Sequence, residues 1–208
     1  MNPVDSIDIP WQYEDYREPL SVHVVSADGA RVLVGGGDPS IATEVTAVAR
    51  ERWIDAVLVE HAHHDHYGAV PELRSELDVD VAAPAADTPA LEEAGIDPDY
   101  RLDAGDRFYG IEAIPTPGHT PGNMAYRYED VLFAGDTVVG SDSVFAGSGP
   151  WSGPLALIEA RYNEDHERAS ESVERLLEHE FESVRVSHGT HVRANGHAAV
   201  ESLVSDLS

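Results

Sequence analysis

Residues 59 to 70 read VEHAHHDHYGAV, and no other stretch narrows what this chain can be as much. An apolar run, AVLVE (56 to 60), leads straight into His61, His63, His64, Asp65 and His66. Four imidazoles and a carboxylate packed so closely need a common partner unless solvent takes them up. Ala62 is small, so His61 and His63 on either side of it can reach one ion from a tight loop. Asp65 and His66 extend past that point toward a second ion. Imidazole suits zinc, and added carboxylates admit iron or manganese. The competing reading is a solvated histidine cluster, or histidines satisfied by hydrogen bonds in a core.

The rest of the chain alternates strand and helix signals. SVHVV and RVLVGG flank Ala27-Asp28-Gly29-Ala30 as strand, turn and strand. Asp38-Pro39 reads as an N-cap and first helical residue, with Ile41, Val45, Val48 and Ala49 on one face of the helix that follows. After the histidines, GAVPELRSEL and TPALEEAG read as helices with the strand VDVAAP between them. Residues 107–115, 124–128 and 131–133 read as strands, and NEDHERASESVERLLEHEF as the longest helix. SVRVS (183 to 187) is a late strand, and NGHAAVESLVSDL a closing helix capped by Asn195. The class is α/β, with helices packed on sheets. No repeat or linker interrupts it, so residues 1–208 are expected to form a single domain.

Further His and Asp residues stand where these strands end. His119 lies in TPGHTPGN, stiffened by Pro117 and Pro121, with Gly118 and Gly122 expected to supply unusual backbone angles. Asp136 follows VLFAG, and His188 follows SVRVS. Strand-end loops are where a rigid sheet can hold side chains in fixed geometry. Alone, Asp136 would be an ordinary turn aspartate; its company makes it a candidate ligand.

Composition removes several alternatives. With no cysteine, disulfides and thiolate metal sites are excluded, and His, Asp and Glu are the available ligands. Acids outnumber bases 39 to 13, for a net charge of -26, and every base is Arg. One reading is an acidic solvated surface that keeps the protein soluble; the favoured one is a halophilic protein, because such self-repulsion is tolerable at molar salt, where the Debye length falls to about 3 Å. The same charge argues against nucleic acid as a partner. No apolar run approaches a membrane span, and the acidic N-terminus lacks a signal pattern, which suggests a cytoplasmic protein.

HAHHDH, TPGHTPGN, LFAGDT and SHGT, in that order, resemble the metallo-β-lactamase superfamily. The resemblance implies a four-layer αββα sandwich of the metallo-β-lactamase type, with metals held between the sheet edges. It implies that His61, His63 and His119 hold one metal, that Asp65, His66 and His188 hold another, and that Asp136 bridges them. Two zinc ions would be the cofactor, with iron or manganese as alternatives, and Asp65 would also orient the nucleophile and move its proton. The implied activity is hydrolysis of a small thioester or ester by a metal-bound hydroxide, in the manner of glyoxalase II. A sulfur dioxygenase with one iron on His61, His119 and Asp136, and a nuclease or phosphodiesterase, are the alternatives within the superfamily.

Three features depart from the usual pattern. Val34-Gly35-Gly36-Gly37-Asp38 stands where relatives have D-T-G, which moves or removes a supporting carboxylate. Glu60 precedes the first ligand where Thr is common. Ser187-His188-Gly189 replaces a Pro-Gly-His-Gly pattern, which leaves His191 as a rival to His188. The Gly/Ser/Pro-rich run 140–154, with Phe145 and Trp151, would either border the pocket or plug the core.

Overall fold

The computed structural model describes residues 3 to 207. Met1, Asn2 and Ser208, part of the span read as one domain, lie outside them. The first sheet opens with a long antiparallel hairpin of β1 (Val4–Tyr13) and β2 (Tyr16–Ala27), paired from Val4↔Val25 to Tyr13↔Tyr16. Antiparallel β3 (Ala30–Val34) follows, and β4 (Ala56–Leu58), β5 (Asp80–Pro84) and β6 (Tyr100–Leu102) then add in parallel. Their crossovers carry α1 (Ala42–Arg52), α2 (His64–Tyr67), α3 (Val70–Glu76) and α4 (Thr88–Glu93).

The second sheet takes β7 (Arg107–Phe108), β8 (Ile111–Pro115), β9 (Met124–Tyr128) and β10 (Val131–Phe133). Beyond it, β11 (Val139–Gly140) and β12 (Leu155–Ala156) make a small ribbon. Strand β13 (Ser183–Arg185) joins β10 in parallel, and α5 (His166–Arg175) and α6 (Gly196–Leu207) belong to this half.

Three apolar layers separate four structural ones. Along β3, Val32 and Val34 face one cluster while Leu33 faces another. The same alternation holds for Ala56, Val57 and Leu58 in β4, and for Val131, Leu132 and Phe133 in β10. Strands covered on both faces are apolar at every position, which is why these runs read as continuous. Val25, Leu58, Ile111 and Tyr126 fill the space between the sheets. Val45, Ala49, Leu73 and Leu91 bring α1, α3 and α4 onto the first sheet, while Val173, Val200 and Leu203 bring α5 and α6 onto the second. The result is the αββα sandwich.

Some local expectations change. RFYGIEAIP is a hairpin rather than one strand, since Tyr109 and Gly110 turn it with φ of 47° and 76°. The longest helix candidate is shorter than its pattern, with α5 ending at Arg175 before a 3-10 turn over Leu176–Glu178. Among the described residues, no helix is long and apolar enough to cross a membrane.

Candidate metal centre

The loop after β4 delivers the first donors. His61 is fully buried, and His63 stands in extended conformation just before α2, whose single turn carries Asp65 and His66. The Gly35–Gly37 run lets this turn approach β3. Gly36 N–H donates to the His66 carbonyl at 2.8 Å, and a Cβ on Gly36 would come within 2.7 Å of that oxygen. The glycine run is therefore a seat for α2, not only a lost carboxylate.

His119 arrives from the loop between β8 and β9. Its ring centroid lies 4.5 Å from those of both His61 and His63, nearly perpendicular to each. His63 Nδ1 and His119 Nε2 are 2.8 Å apart, and His119 Nδ1 is 3.0 Å from Asn163 Oδ1. The two loops are stapled by buried Asp87, which accepts from Ala62 N–H at 2.8 Å, the Thr120 hydroxyl at 2.6 Å and Gly122 N–H at 2.6 Å. Gly122 is needed here for space rather than for an unusual angle, because a Cβ on it would lie 2.6 Å from Asp87 Oδ1.

His66, Asp65 and His188 form the second group, and Asp136 stands between the two. Its Oδ2 is 3.4 Å from His119 Nε2, while its Oδ1 is 3.3 Å from His66 Nε2 and 3.6 Å from His188 Nε2. Asp65 Oδ2 lies 3.3 Å from His188 Nε2. All seven residues expected from the sequence come together, as His61, His63 and His119 on one side and Asp65, His66, Asp136 and His188 on the other. His191 is elsewhere: its Nδ1 accepts from Val186 N–H at 3.3 Å, and its ring packs on His23. The backbone fixes His188 in place, with its carbonyl accepting from Gly140 N–H at 2.9 Å and Ser187 O accepting from Ser21 N–H at 2.9 Å.

These donors fit divalent cations. Both nitrogens of His61, Nε2 of His66 and Oδ1 of Asp136 are buried with no hydrogen-bond partner. Leaving so many polar atoms unsatisfied is expensive, and a cation at each group answers it. Burial draws His61 and His63 down and His119 to about 4, which keeps these rings neutral, the form that ligates. Burial also pulls at His66 and His188, but there the facing carboxylates win. Asp136, Glu60 and Asp65 hold His66 well above its usual range, and Asp136, Asp65 and Glu18 hold His188 at about 9. Against burial, the same pairings keep Asp65 at about 2 and Asp136 well below the carboxylate range. A cluster that retains positive charge in this way is one a metal ion can enter by displacing protons.

The centre opens into a cavity of about 250 Å³ walled by Trp11, Tyr13, Phe145 and Tyr162, with Arg161 and His64 also lining it. Phe145 is 4.7 Å from the His188 ring and 5.8 Å from Trp11. The 140–154 run thus does both things expected of it: Phe145 borders the pocket, while Trp151 packs against the cores and donates to Gly147 O. Glu18 ties this run to β2, accepting from the Ser143 hydroxyl at 2.7 Å and Val144 N–H at 3.0 Å. Asp87, Asn163 and Glu18 escaped the sequence reading because each looks like an ordinary turn, cap or strand polar residue. Trp11 and Tyr13 escaped because the acidic N-terminal stretch hides its strand alternation.

The metallo-beta-lactamase superfamily model matches residues 16–182. A hydroxyacylglutathione hydrolase of Rhodopseudomonas palustris (strain BisA53) is 32% identical over 199 residues, covering 86% of this chain and 76% of that one. Another, of Photobacterium profundum, is 37% identical over 117 residues, covering 53% of this chain and 45% of its own length. The chain thus spans about half the length of several relatives it matches. Among solved structures, a metallo-beta-lactamase from Pontibacter korlensis superposes with a TM-score of 0.78 over 100% of this chain and 95% of that one, at 17% identity.

Proposed function

The chain belongs to the metallo-β-lactamase superfamily, and from that membership we propose that it is a metal-dependent hydrolase that opens a small thioester or ester with water, as its hydroxyacylglutathione hydrolase relatives are named for doing. The observation that carries the reading is Asp136, whose two carboxylate oxygens face the two donor groups separately. His61, His63 and His119 would hold one zinc ion and Asp65, His66 and His188 a second, with Asp136 available to both. Bound there, the cations supply Lewis acidity and bring the pKa of water to about 7.

The protein groups do the rest. Asp65 lines the cavity beside His188, so its carboxylate can accept a hydrogen bond from the attacking water and take up its proton. Water adds to the acyl carbon, the carbon–sulfur or carbon–oxygen bond breaks, and the thiol or alcohol leaves with a proton. Trp11, Tyr13, Phe145 and Tyr162 exclude bulk solvent and offer apolar faces to the acyl or carrier group. Arg161 brings a positive charge to the cavity wall, which suits a substrate with a carboxylate at its outer end.

The test is turnover of a thioester and ester panel in molar KCl by metal-free and zinc-reconstituted protein. Hydrolysis should require zinc and be abolished by Asp136→Ala. Oxygen consumption with a persulfide by an iron-loaded chain, without hydrolysis by the zinc form, would replace this reading with the dioxygenase one.

A further inference from the structure

Glu60 is 1% exposed, yet it carries a carboxylate. Burying such a group is costly unless a specific partner compensates. Its partner is His66, whose Nδ1 lies 3.2 Å from Glu60 Oε2. The backbone around it is fixed: Met124 N–H donates to the Glu60 carbonyl at 3.0 Å, locking the residue to the start of β9.

Two glycines make the slot it occupies. A Cβ on Gly35 would lie 3.5 Å from Glu60 Oε1. One on Gly135 would lie 3.0 Å from the Glu60 Cβ and 3.3 Å from its Cγ. Gly35 follows β3 and Gly135 precedes Asp136, so the side chain is clasped between the end of the first sheet and the loop carrying Asp136. The nearby carboxylate of Asp38 does not compete. Its Oδ1 accepts from the Ser40 N–H and hydroxyl, and its Oδ2 faces the half-exposed ring of His64.

We infer that Glu60 is the positioning residue of the second metal site: it accepts the Nδ1–H of His66 and so presents Nε2 toward Asp136 and the cation. This rests on the reading of His66 as a ligand. The opposite ring nitrogen agrees, since His66 Nε2 has no hydrogen bond and lies 3.3 Å from Asp136 Oδ1. A ligating imidazole is generally oriented through its other nitrogen by a carboxylate or carbonyl, which fixes the tautomer and raises ligand basicity. The glycine run and the glutamate before His61, two separate departures in the sequence, then become one arrangement: the support comes from the loop just after β4, through space the glycines leave open.

The experiment is cobalt titration of metal-free wild type, Glu60→Ala and Glu60→Gln in molar KCl, followed by visible absorption and calorimetry. Wild type should take two equivalents. Glu60→Ala should keep the affinity of the equivalent held by His61, His63 and His119. It should bind the other about 10- to 100-fold more weakly, with an altered absorption band. Glu60→Gln keeps the shape and an acceptor for Nδ1–H, so it should recover part of that loss; a role limited to packing would leave the spectrum unchanged. Two equivalents bound alike by wild type and Glu60→Ala would overturn this inference alone, as would equal weakening of both. A wild type that takes no second equivalent would overturn the ligand reading and this inference with it.

Discussion

Asp87 Oδ2 accepts a hydrogen bond from the Thr120 hydroxyl at 2.6 Å, and the pair joins the two loops that carry His61, His63 and His119. The carboxylate does not line the cavity and sets the spacing of the loops through backbone and hydroxyl bonds. Asp87→Ala would leave the Ala62 and Gly122 N–H groups and the Thr120 hydroxyl without their acceptor. Each bond to a charged group contributes about 1.5–3 kcal/mol, so the variant is expected to lose about 3 kcal/mol or more of stability. Urea unfolding of the metal-free proteins measures it directly, and unchanged midpoints would count against the staple.

Arg161 is exposed, its Nε 2.9 Å from Glu159 Oε2 and its guanidinium over the Tyr162 ring. For an ester ending in a carboxylate, Arg161→Gln should raise KM about two- to fivefold at moderate salt and leave kcat alone. A neutral ester of the same acyl group should be unaffected. Equal effects on both esters would remove the charge-recognition role.

Behind the centre, His23 and His191 pack ring to ring, 5.3 Å apart, with Ser6 and Asp8 facing them from β1 and Arg185 from β13. Burial, aided by each other and by Arg185 and Arg193, lowers His23 well below its usual range; burial chiefly lowers His191 to about 4. In the unfolded chain both rings accept protons near pH 6.5. The unfolded state therefore binds more protons below that pH, and stability is lost as pH falls from about 6.5 toward 4, by on the order of 3 kcal/mol for His191. His191→Gln should flatten the fall in unfolding midpoint over this window, whereas parallel curves would contradict the assignment.

The net charge of -26 has its own consequence. Raising KCl from 0.1 M to above 1 M shortens the Debye length from about 10 Å to about 3 Å, which suppresses repulsion among the surface carboxylates. The thermal midpoint should climb steeply over that range and level off beyond it. A midpoint indifferent to salt would remove the halophilic reading.

What the sequence disclosed follows from how locally each feature is encoded. The candidate donor clusters were legible because they stand after apolar runs that fit a doubly covered strand, as with AVLVE before His61 and VLF before Asp136. Strands β1 and β7 were obscured, the first by its acids and Pro10, the second by a two-residue turn inside a short run. Glu60 and Asp87 could not be placed beforehand. Their partners, His66 across a turn and Thr120 from another sheet, are fixed by packing rather than by spacing. His188 and His191 are three residues apart, and the pairing of Ser21 N–H with Ser187 O turns His188 toward the centre.

The most direct test of the account is metal content per chain, by elemental analysis of protein purified in high salt without chelator or nickel. About two zinc ions per chain, falling when Asp136 is replaced by Ala, is the result this arrangement of donors predicts. No tightly bound metal, even after reconstitution with zinc, would contradict it.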